Sequence, residues 1–113
     1  MVASALHVLA IEELGSAAAG TFTAAEQAYA RSKSDPERRL AARLAAKRAA
    51  GKLLGVPLGE IEVVPARGGP PSLCLSASAQ ARLQALGATR ALVSLTHGRE
   101  HAAAAVLLLG PEA

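Results

Sequence analysis

The chain has 113 residues, of which 51% are hydrophobic and 2% aromatic, and its formal net charge is +3. This length is enough for one domain, 1–113, with one modest core. The scarcity of aromatic side chains argues against a nucleic acid as partner, because proteins that bind single strands stack the bases on aromatic rings.

The first predicted element is a strand over residues 2–11, whose apolar run indicates burial on both faces. This segment is too short to span a membrane. It lacks a basic start and is followed directly by Glu12 and Glu13, so it is a poor signal peptide. We therefore expect a cytoplasmic protein without a membrane anchor. Small residues over 15–20 form the connection to the next element.

Two helices are predicted next from their capping residues. Thr23 and Glu26 have the spacing of a capping box, in which the two side chains satisfy each other's backbone donors, so a short helix should run to about residue 31. Asp35, followed by a proline at the first helical position, begins the longest helix. Gly55 is its natural end.

The long helix and the segment before it hold eight of the 12 basic residues of the chain: Arg31, Lys33, Arg38, Arg39, Arg43, Lys47, Arg48 and Lys52. Most of them fall into two i, i+4 series on the helix, which we name the first stripe (Arg39, Arg43, Lys47) and the second stripe (Arg48, Lys52). Such a concentration favours an anionic partner, either a phosphorylated ligand, an acidic protein or nucleic acid. A solvated helix face would show the same pattern.

Residues 61–64 and 72–75 are predicted strands, joined by a turn rich in glycine and proline over 65–71. The only cysteine, Cys74, lies in the second of these strands, where its apolar neighbours predict a buried and unreactive thiol. A single cysteine also excludes an intramolecular disulfide and is typical of a reducing compartment.

A third helix, capped by Ser76 or Ser78, is predicted to end near Gly87. Residues 90–95 and 102–109 are then predicted to form a hairpin across a six-residue connection. Because strands and helices are mixed without regular alternation, the chain is predicted to be α+β. The first strand and the last hairpin are apolar along nearly their whole length, so we expect self-association to cover them.

Four segments, in chain order, carry a resemblance to a known family. Residues 23–32 resemble a T-x-x-E-x-x-Y segment, and residues 43–55, RLAAKRAAGKLLG, resemble RFAAKEA followed by a lysine and a glycine. Residues 69–73, GPPSL, are similar to a G-x-P turn and strand, and residues 94–102, SLTHGREHA, to the hairpin motif S-[IL]-[ST]-H-x-x-x-[YH]-A. On these motifs the chain is identified as a member of the holo-acyl-carrier-protein synthase family, the small phosphopantetheinyl transferases.

The resemblance implies a phosphopantetheinyl-transferase-like fold, with an antiparallel sheet and one long helix, and a homotrimer with its sites between subunits. Such enzymes transfer the 4'-phosphopantetheine arm of coenzyme A to a serine of an apo acyl carrier protein. An aspartate of the first strand and a glutamate of the long helix hold Mg²⁺ against the pyrophosphate. Lys47, Lys52 and His97 match positions that face phosphate, so the resemblance implies that they bind phosphate or coenzyme A.

The chain departs from the family pattern at both metal-ligand positions. His7 stands where the aspartate belongs, and Arg48 stands where the glutamate belongs. Nearby, Ala10 replaces a glutamate and Glu13 replaces an arginine. Imidazole is a poor ligand for Mg²⁺ and guanidinium cannot be a ligand. We therefore expect no magnesium and no metal site, whereas coenzyme A stays a possible ligand.

His7, Arg48 and Lys52 are the candidate catalytic residues. His7 fits a general acid or base, a transition-metal ligand, or a hydrogen-bonded histidine within a buried strand. Arg48, supported by Lys52, fits a cation that holds a phosphate in place of the metal, or a partner in an ion pair with Glu12 or Glu13.

Further residues are assigned to partner binding and to structure. Arg39, Arg43 and Arg48 are candidates for binding an acidic protein such as an acyl carrier protein. His101 replaces a core aromatic residue of the family motif, so we predict a structural role for it.

These expectations leave functions of different classes open. The favoured hypothesis is a degenerate phosphopantetheinyl-transferase-like protein that binds an acyl carrier protein, coenzyme A or both, in fatty-acid or polyketide biosynthesis, without the usual transfer. The alternative is an enzyme, either an active transferase or a repurposed catalyst that uses His7. Nucleic-acid binding through the basic helix is disfavoured, since aromatic stacking partners are lacking.

Overall fold

The computed structural model describes residues 1–66 and 68–111, and within them the elements follow the predicted order. Arg67, in the predicted glycine- and proline-rich turn, lies outside the described residues. Short 3₁₀ segments cover Ile11–Ser16 and Leu58–Glu60. The strands and helices are β1 (Ala3–Ala10), α1 (Ala24–Arg31), α2 (Pro36–Leu54), β2 (Ile61–Val64), β3 (Ser72–Leu75), α3 (Ala77–Ala85), β4 (Arg90–His97) and β5 (His101–Leu109).

The strands form two antiparallel sheets. The larger has the order β1-β5-β4, with β5 in the centre, and the smaller pairs β2 with β3. In the larger sheet His7 lies opposite Ala104, and in the next row Ala102 lies between Leu9 and His97. Because side chains alternate between the faces of a sheet, His7 and His97 share one face, near opposite edges. The α+β class and the antiparallel pairing are confirmed.

Helix α2 covers that face of the larger sheet. Its buried side is mostly alanine, which lets the helix lie close to β1 and β5. The helix begins after Asp35 and ends at Gly55, whose φ of 69° is the left-handed conformation that glycine adopts readily. The predicted capping box of α1 is also confirmed, since Thr23 and Glu26 each bond the other's backbone. Helix α3 is capped by Ser76 rather than Ser78.

The opposite face of the larger sheet is exposed in the single chain. Four of its large apolar side chains remain accessible: Leu6 (71% exposed), Val8 (57%), Leu92 (46%) and Leu107 (36%). The prediction that the first strand is buried on both faces is therefore wrong for one chain, because α2 covers only one of the two faces. Among the helices of the described residues, none is both long and apolar enough to cross a membrane.

Two predictions of burial fail because of the two-residue period of strands. Cys74 is exposed, since Leu73 and Leu75 turn toward the core and place the thiol on the other face. His101 is exposed as well in the single chain and does not lie in the core, because it is the first residue of β5 and the core face begins at Ala102. The last hairpin connection is shorter than predicted, because β4 continues to His97 and β5 begins at His101.

Candidate functional site

Strand β1 and helix α2 bring the three candidate catalytic residues together. His7 is half-buried on the covered face of the sheet, Arg48 is half-buried, and Lys52 is exposed one helical turn later. Burial holds the pKa of His7 below its ordinary value, and the charge of Arg48 lowers it further. Glu13 opposes this effect and Lys52 adds to it. At neutral pH the cluster therefore combines a neutral imidazole with two cations.

Arg48 also borders a cavity of about 430 Å³ that is lined by small residues of the connection from Ser16 to Thr21 and by residues 57–59. The proposed ion pair between Arg48 and Glu12 or Glu13 is not formed within the described residues, where the ion pairs join other side chains. Glu13 instead accepts a hydrogen bond from the backbone N–H of Ala10 at 2.7 Å. The guanidinium is thus open to an external anion.

Lys47, in the first stripe, has a different environment. Its ammonium nitrogen Nζ lies 2.6 Å from Oε1 of Glu26, and both side chains are completely buried. Glu26 also accepts hydrogen bonds from the backbone N–H groups of Thr23 and Val63. Lys47 therefore links α2 to α1 and β2, and a direct contact with phosphate would require it to leave Glu26.

Arg43 and His97 line a second cavity of about 210 Å³, together with Tyr29, Arg39 and Leu95. Arg43 is only 4% exposed. Its guanidinium carbon Cζ lies 4.2 Å from the centre of the Tyr29 ring, and Nη1 donates to the carbonyl oxygen of Arg39 at 3.3 Å. Its Nε is buried without a hydrogen-bond partner among the described residues. We name this space, with its three basic side chains, the anion cavity.

The structure thus separates the predicted site residues into three groups. His7, Arg48 and Lys52 share one cluster, Arg39, Arg43 and His97 share the anion cavity, and Lys47 belongs to a buried ion pair. The alternative interpretation, one solvated basic helix face, is wrong, since Arg43 and Lys47 are buried.

Sequence patterns did not reveal that Tyr29 lines the anion cavity or that Asp35 contacts two of its basic side chains. In the sequence Tyr29 stands out only as part of a family motif, whereas in the structure its ring stacks with Arg43, as aromatic rings commonly do with arginine. Asp35 stands at the predicted N-cap of α2, but its side chain makes no capping bond and instead contacts Arg39. The i, i+4 spacing of Asp35 and Arg39 was the available signal for this contact.

Comparison with known proteins places this arrangement in a family. No family model matches the chain. The holo-[acyl-carrier-protein] synthase of Nitratidesulfovibrio vulgaris strain DP4 is 52% identical over 75 residues, which is 61% of this chain, and the chain spans only 60% of that relative's length. The corresponding protein of Anaeromyxobacter dehalogenans strain 2CP-1 is 44% identical over 95 residues, covering 81% of this chain and 74% of the relative. The chain belongs to the holo-acyl-carrier-protein synthase family.

The fold agrees with this membership. The Chronobacterium ammoniagenes ACPS–CoA complex superposes with a TM-score of 0.77 at 24% identity, covering 97% of this chain and 98% of that one. The family membership predicted from the sequence motifs is confirmed by these comparisons.

Magnesium, which the resemblance implies for holo-acyl-carrier-protein synthases, does not fit the side chains at the two corresponding positions of this chain. Mg²⁺ requires hard oxygen ligands in near-octahedral geometry, whereas His7 offers one ring nitrogen and Arg48 brings a positive charge. Within residues 1–66 and 68–111, no group of three histidine, cysteine, aspartate or glutamate side chains could hold a metal ion. The donor set of this cluster suits an anion rather than a cation.

Proposed function

We propose that this chain is a holo-acyl-carrier-protein-synthase-like protein that binds an acyl carrier protein, coenzyme A or both, and that it has lost the magnesium-dependent transfer. The observation that carries this proposal is the replacement of two carboxylates by His7 and Arg48, which lie together beside Lys52. The protein would act in the cytoplasm, in fatty-acid or polyketide biosynthesis, by holding components of the assembly rather than by modifying them.

Coenzyme A carries several phosphate groups, and the chain offers two basic regions for them. The anion cavity presents Arg39, Arg43 and His97, and the cluster at β1 presents Arg48 and Lys52. Arginine suits phosphate because its planar guanidinium donates paired hydrogen bonds. The complex of the related Chronobacterium ammoniagenes protein with CoA is consistent with this ligand. Lys47 would contribute indirectly, by fixing α2 through Glu26.

An acyl carrier protein is the expected protein partner, because carrier proteins are acidic and complementary charge promotes encounter and orientation. Of the three residues predicted to bind a partner, Arg39 and Arg48 are half-exposed, whereas Arg43 is buried. We therefore assign direct contacts with the partner to Arg39 and Arg48, and a role within the anion cavity to Arg43.

A homotrimer is the proposed assembly. The exposed face of the larger sheet, which includes Leu6, Val8, Leu92 and Leu107, is an apolar surface that a second copy would cover. Light scattering coupled to size exclusion should give three times the chain mass of 11.4 kDa. Leu6→Glu should reduce that mass, whereas Leu86→Glu, an exposed leucine outside the sheet, should not. A wild-type monomer at micromolar concentration refutes the assembly, and a dimer refutes only its three-fold form.

The loss of transfer is tested by mass spectrometry of an apo carrier protein incubated with coenzyme A and Mg²⁺. We expect no gain of the phosphopantetheine arm, while a family member with both carboxylates, assayed in parallel, converts the same carrier. Robust conversion at low concentrations of this protein would show that His7 and Arg48 support the transfer.

Binding is tested separately by calorimetric titration with coenzyme A in the absence of metal. We expect saturable binding, weakened at least tenfold by Arg48→Met, a change worth about 1.4 kcal/mol. Arg99→Met is the matched control, because it removes the same charge from an exposed position in the last hairpin connection. If neither coenzyme A nor an acyl carrier protein binds the wild-type chain, the proposed function is wrong.

A further inference from the structure

The carboxylate of Asp35 faces two of the three basic side chains of the anion cavity. Its Oδ1 lies 3.0 Å from Nε of Arg39, and its Oδ2 lies 4.0 Å from Nε2 of His97. The hydrogen bond from Arg39 holds the pKa of Asp35 below its ordinary value, so this carboxylate is ionised at neutral pH.

Asp35 makes these contacts instead of the helix-capping hydrogen bond that its position favours. An aspartate that precedes a helix usually accepts a hydrogen bond from the backbone of the first turn. At the start of α2 no such bond forms, and Asp35 has φ of −127° and ψ of 59°. Its negative charge is therefore directed at the basic side chains of the anion cavity.

One hydrogen-bond donor of the anion cavity, on Arg43, lacks an acceptor among the described residues. Arg43 is buried, and its Nε has no hydrogen-bond partner among the described residues. A buried and unpaired donor costs free energy, which an anion in the cavity would recover. Asp35 reaches Arg39 and His97 but forms no ion pair with Arg43, so it satisfies only part of this basic set.

We propose that Asp35 is an internal competitor that sets the affinity of the anion cavity for phosphate groups. A bound phosphate would share Arg39 and His97 with a carboxylate that already contacts both side chains, and the two anions would repel each other at short range. Asp35 thereby weakens the binding of phosphate ligands. This inference rests on the proposed function only in the choice of the natural ligand, since the competition concerns any phosphate group.

The sign of the effect separates competition from positioning. If Asp35 served mainly to orient Arg39 toward a ligand, its removal would weaken phosphate binding. Competition predicts the reverse, because removing the carboxylate frees Arg39 and His97 and raises the local positive potential.

The experiment follows the histidine ring nitrogens by NMR during titration with inorganic phosphate. The chain has three histidines, which single His→Gln variants assign. We expect Asp35→Asn, and Asp35→Ser as a second variant that introduces a hydroxyl able to cap α2, to bind phosphate at least tenfold more tightly, with the response at His97. Glu37→Gln, an exposed acid two residues later, removes the same charge and should stay within twofold of wild type.

Equal or weaker binding by both Asp35 variants would overturn the competition, and so would a response at His7 with His97 unmoved. Titration with coenzyme A on the same proteins distinguishes this inference from the proposed function. If the Asp35 variants gain phosphate affinity but no protein binds coenzyme A, Asp35 competes for phosphate but coenzyme A is not the ligand. If coenzyme A binds and phosphate affinity is unchanged by the variants, coenzyme A is the ligand and the inference about Asp35 is wrong.

Discussion

The two basic stripes of helix α2 lie in contrasting environments. In the first stripe, Lys47 is paired with Glu26 and Arg43 stacks on Tyr29. Both of these cations are buried. In the second stripe, Arg48 is half-buried, Lys52 is exposed, and both lie beside the neutral His7. Lys47 thus serves the fold, whereas Arg48 and Lys52 remain available to an external anion, as does the anion cavity that Arg43 lines.

This difference shows how a structural cation can be told from one that is free to bind. A buried ammonium with a matched carboxylate is part of the packing, and removing either partner leaves an uncompensated charge. Two like charges at i, i+4 oppose each other slightly on an isolated helix. An anion between Arg48 and Lys52 would turn that repulsion into attraction, so a bound anion would stabilise the second stripe.

The largest expected effect concerns stability. Lys47→Met leaves Glu26 buried without its counter-ion, and we expect the free energy of unfolding to fall by about 3–5 kcal/mol. Arg48→Met should change it by about 0.5 kcal/mol or less, because the half-buried Arg48 has no such ion-pair partner among the described residues. Urea unfolding followed by circular dichroism measures both.

The double variant Glu26→Gln with Lys47→Met sharpens this test. The introduced amide would keep an acceptor for the backbone of Thr23 or Val63 while removing the buried charge, so we expect the double variant to recover much of the lost stability. Equal losses for Lys47→Met and Arg48→Met would erase the distinction between the stripes.

The next effect concerns magnesium. We expect the wild-type protein to bind Mg²⁺ no better than an unspecific surface, since His7 and Arg48 are unsuited to it. Replacing both, His7→Asp with Arg48→Glu, should raise the Mg²⁺ affinity at least tenfold in isothermal titration, with or without coenzyme A. The single variants should gain less, because each leaves one unsuitable group in place. A stoichiometric, saturable Mg²⁺ site in the wild type would contradict this prediction.

Much of the fold followed from local patterns in the sequence. Asp35 and Gly55 correctly predicted the limits of α2, and the capping box at Thr23 correctly predicted the start of α1. These signals could be read from the sequence because they act within a few residues. The strands β2 and β3 were predicted at the bounds that the structure has. Such features depend on backbone chemistry that a short segment determines by itself.

Burial was predicted less well because it depends on distant partners. An apolar run around Cys74 gives no indication of which face the thiol occupies, and Lys47 is buried only because Glu26, 21 residues away, meets it. The proximity of His7 to Arg48 was implied by the family resemblance and by no local pattern. Tyr29 and Asp35 were overlooked for the same reason, since their roles appear only once α1, α2 and β4 meet around the anion cavity.

The smallest expected effect is a dependence of stability on pH at His7. Its pKa is lowered on folding by burial and by Arg48 and Lys52, against the opposing charge of Glu13. As the pH falls below about 6.5, the unfolded chain takes up a proton at His7 before the folded chain does. The free energy of unfolding should therefore fall between pH 7.5 and 5.5, and less in His7→Gln.

His101→Gln is the matched control for that measurement, because His101 is exposed and its replacement should leave the pH dependence of stability unchanged. Arg48→Met should reduce the dependence without abolishing it, since burial, the larger cause, remains. The free energy of unfolding in urea at several pH values, compared between variants, gives each contribution. A His7→Gln variant with the same pH dependence as wild type would show that folding does not lower the pKa of His7, by burial or by the charges of the second stripe.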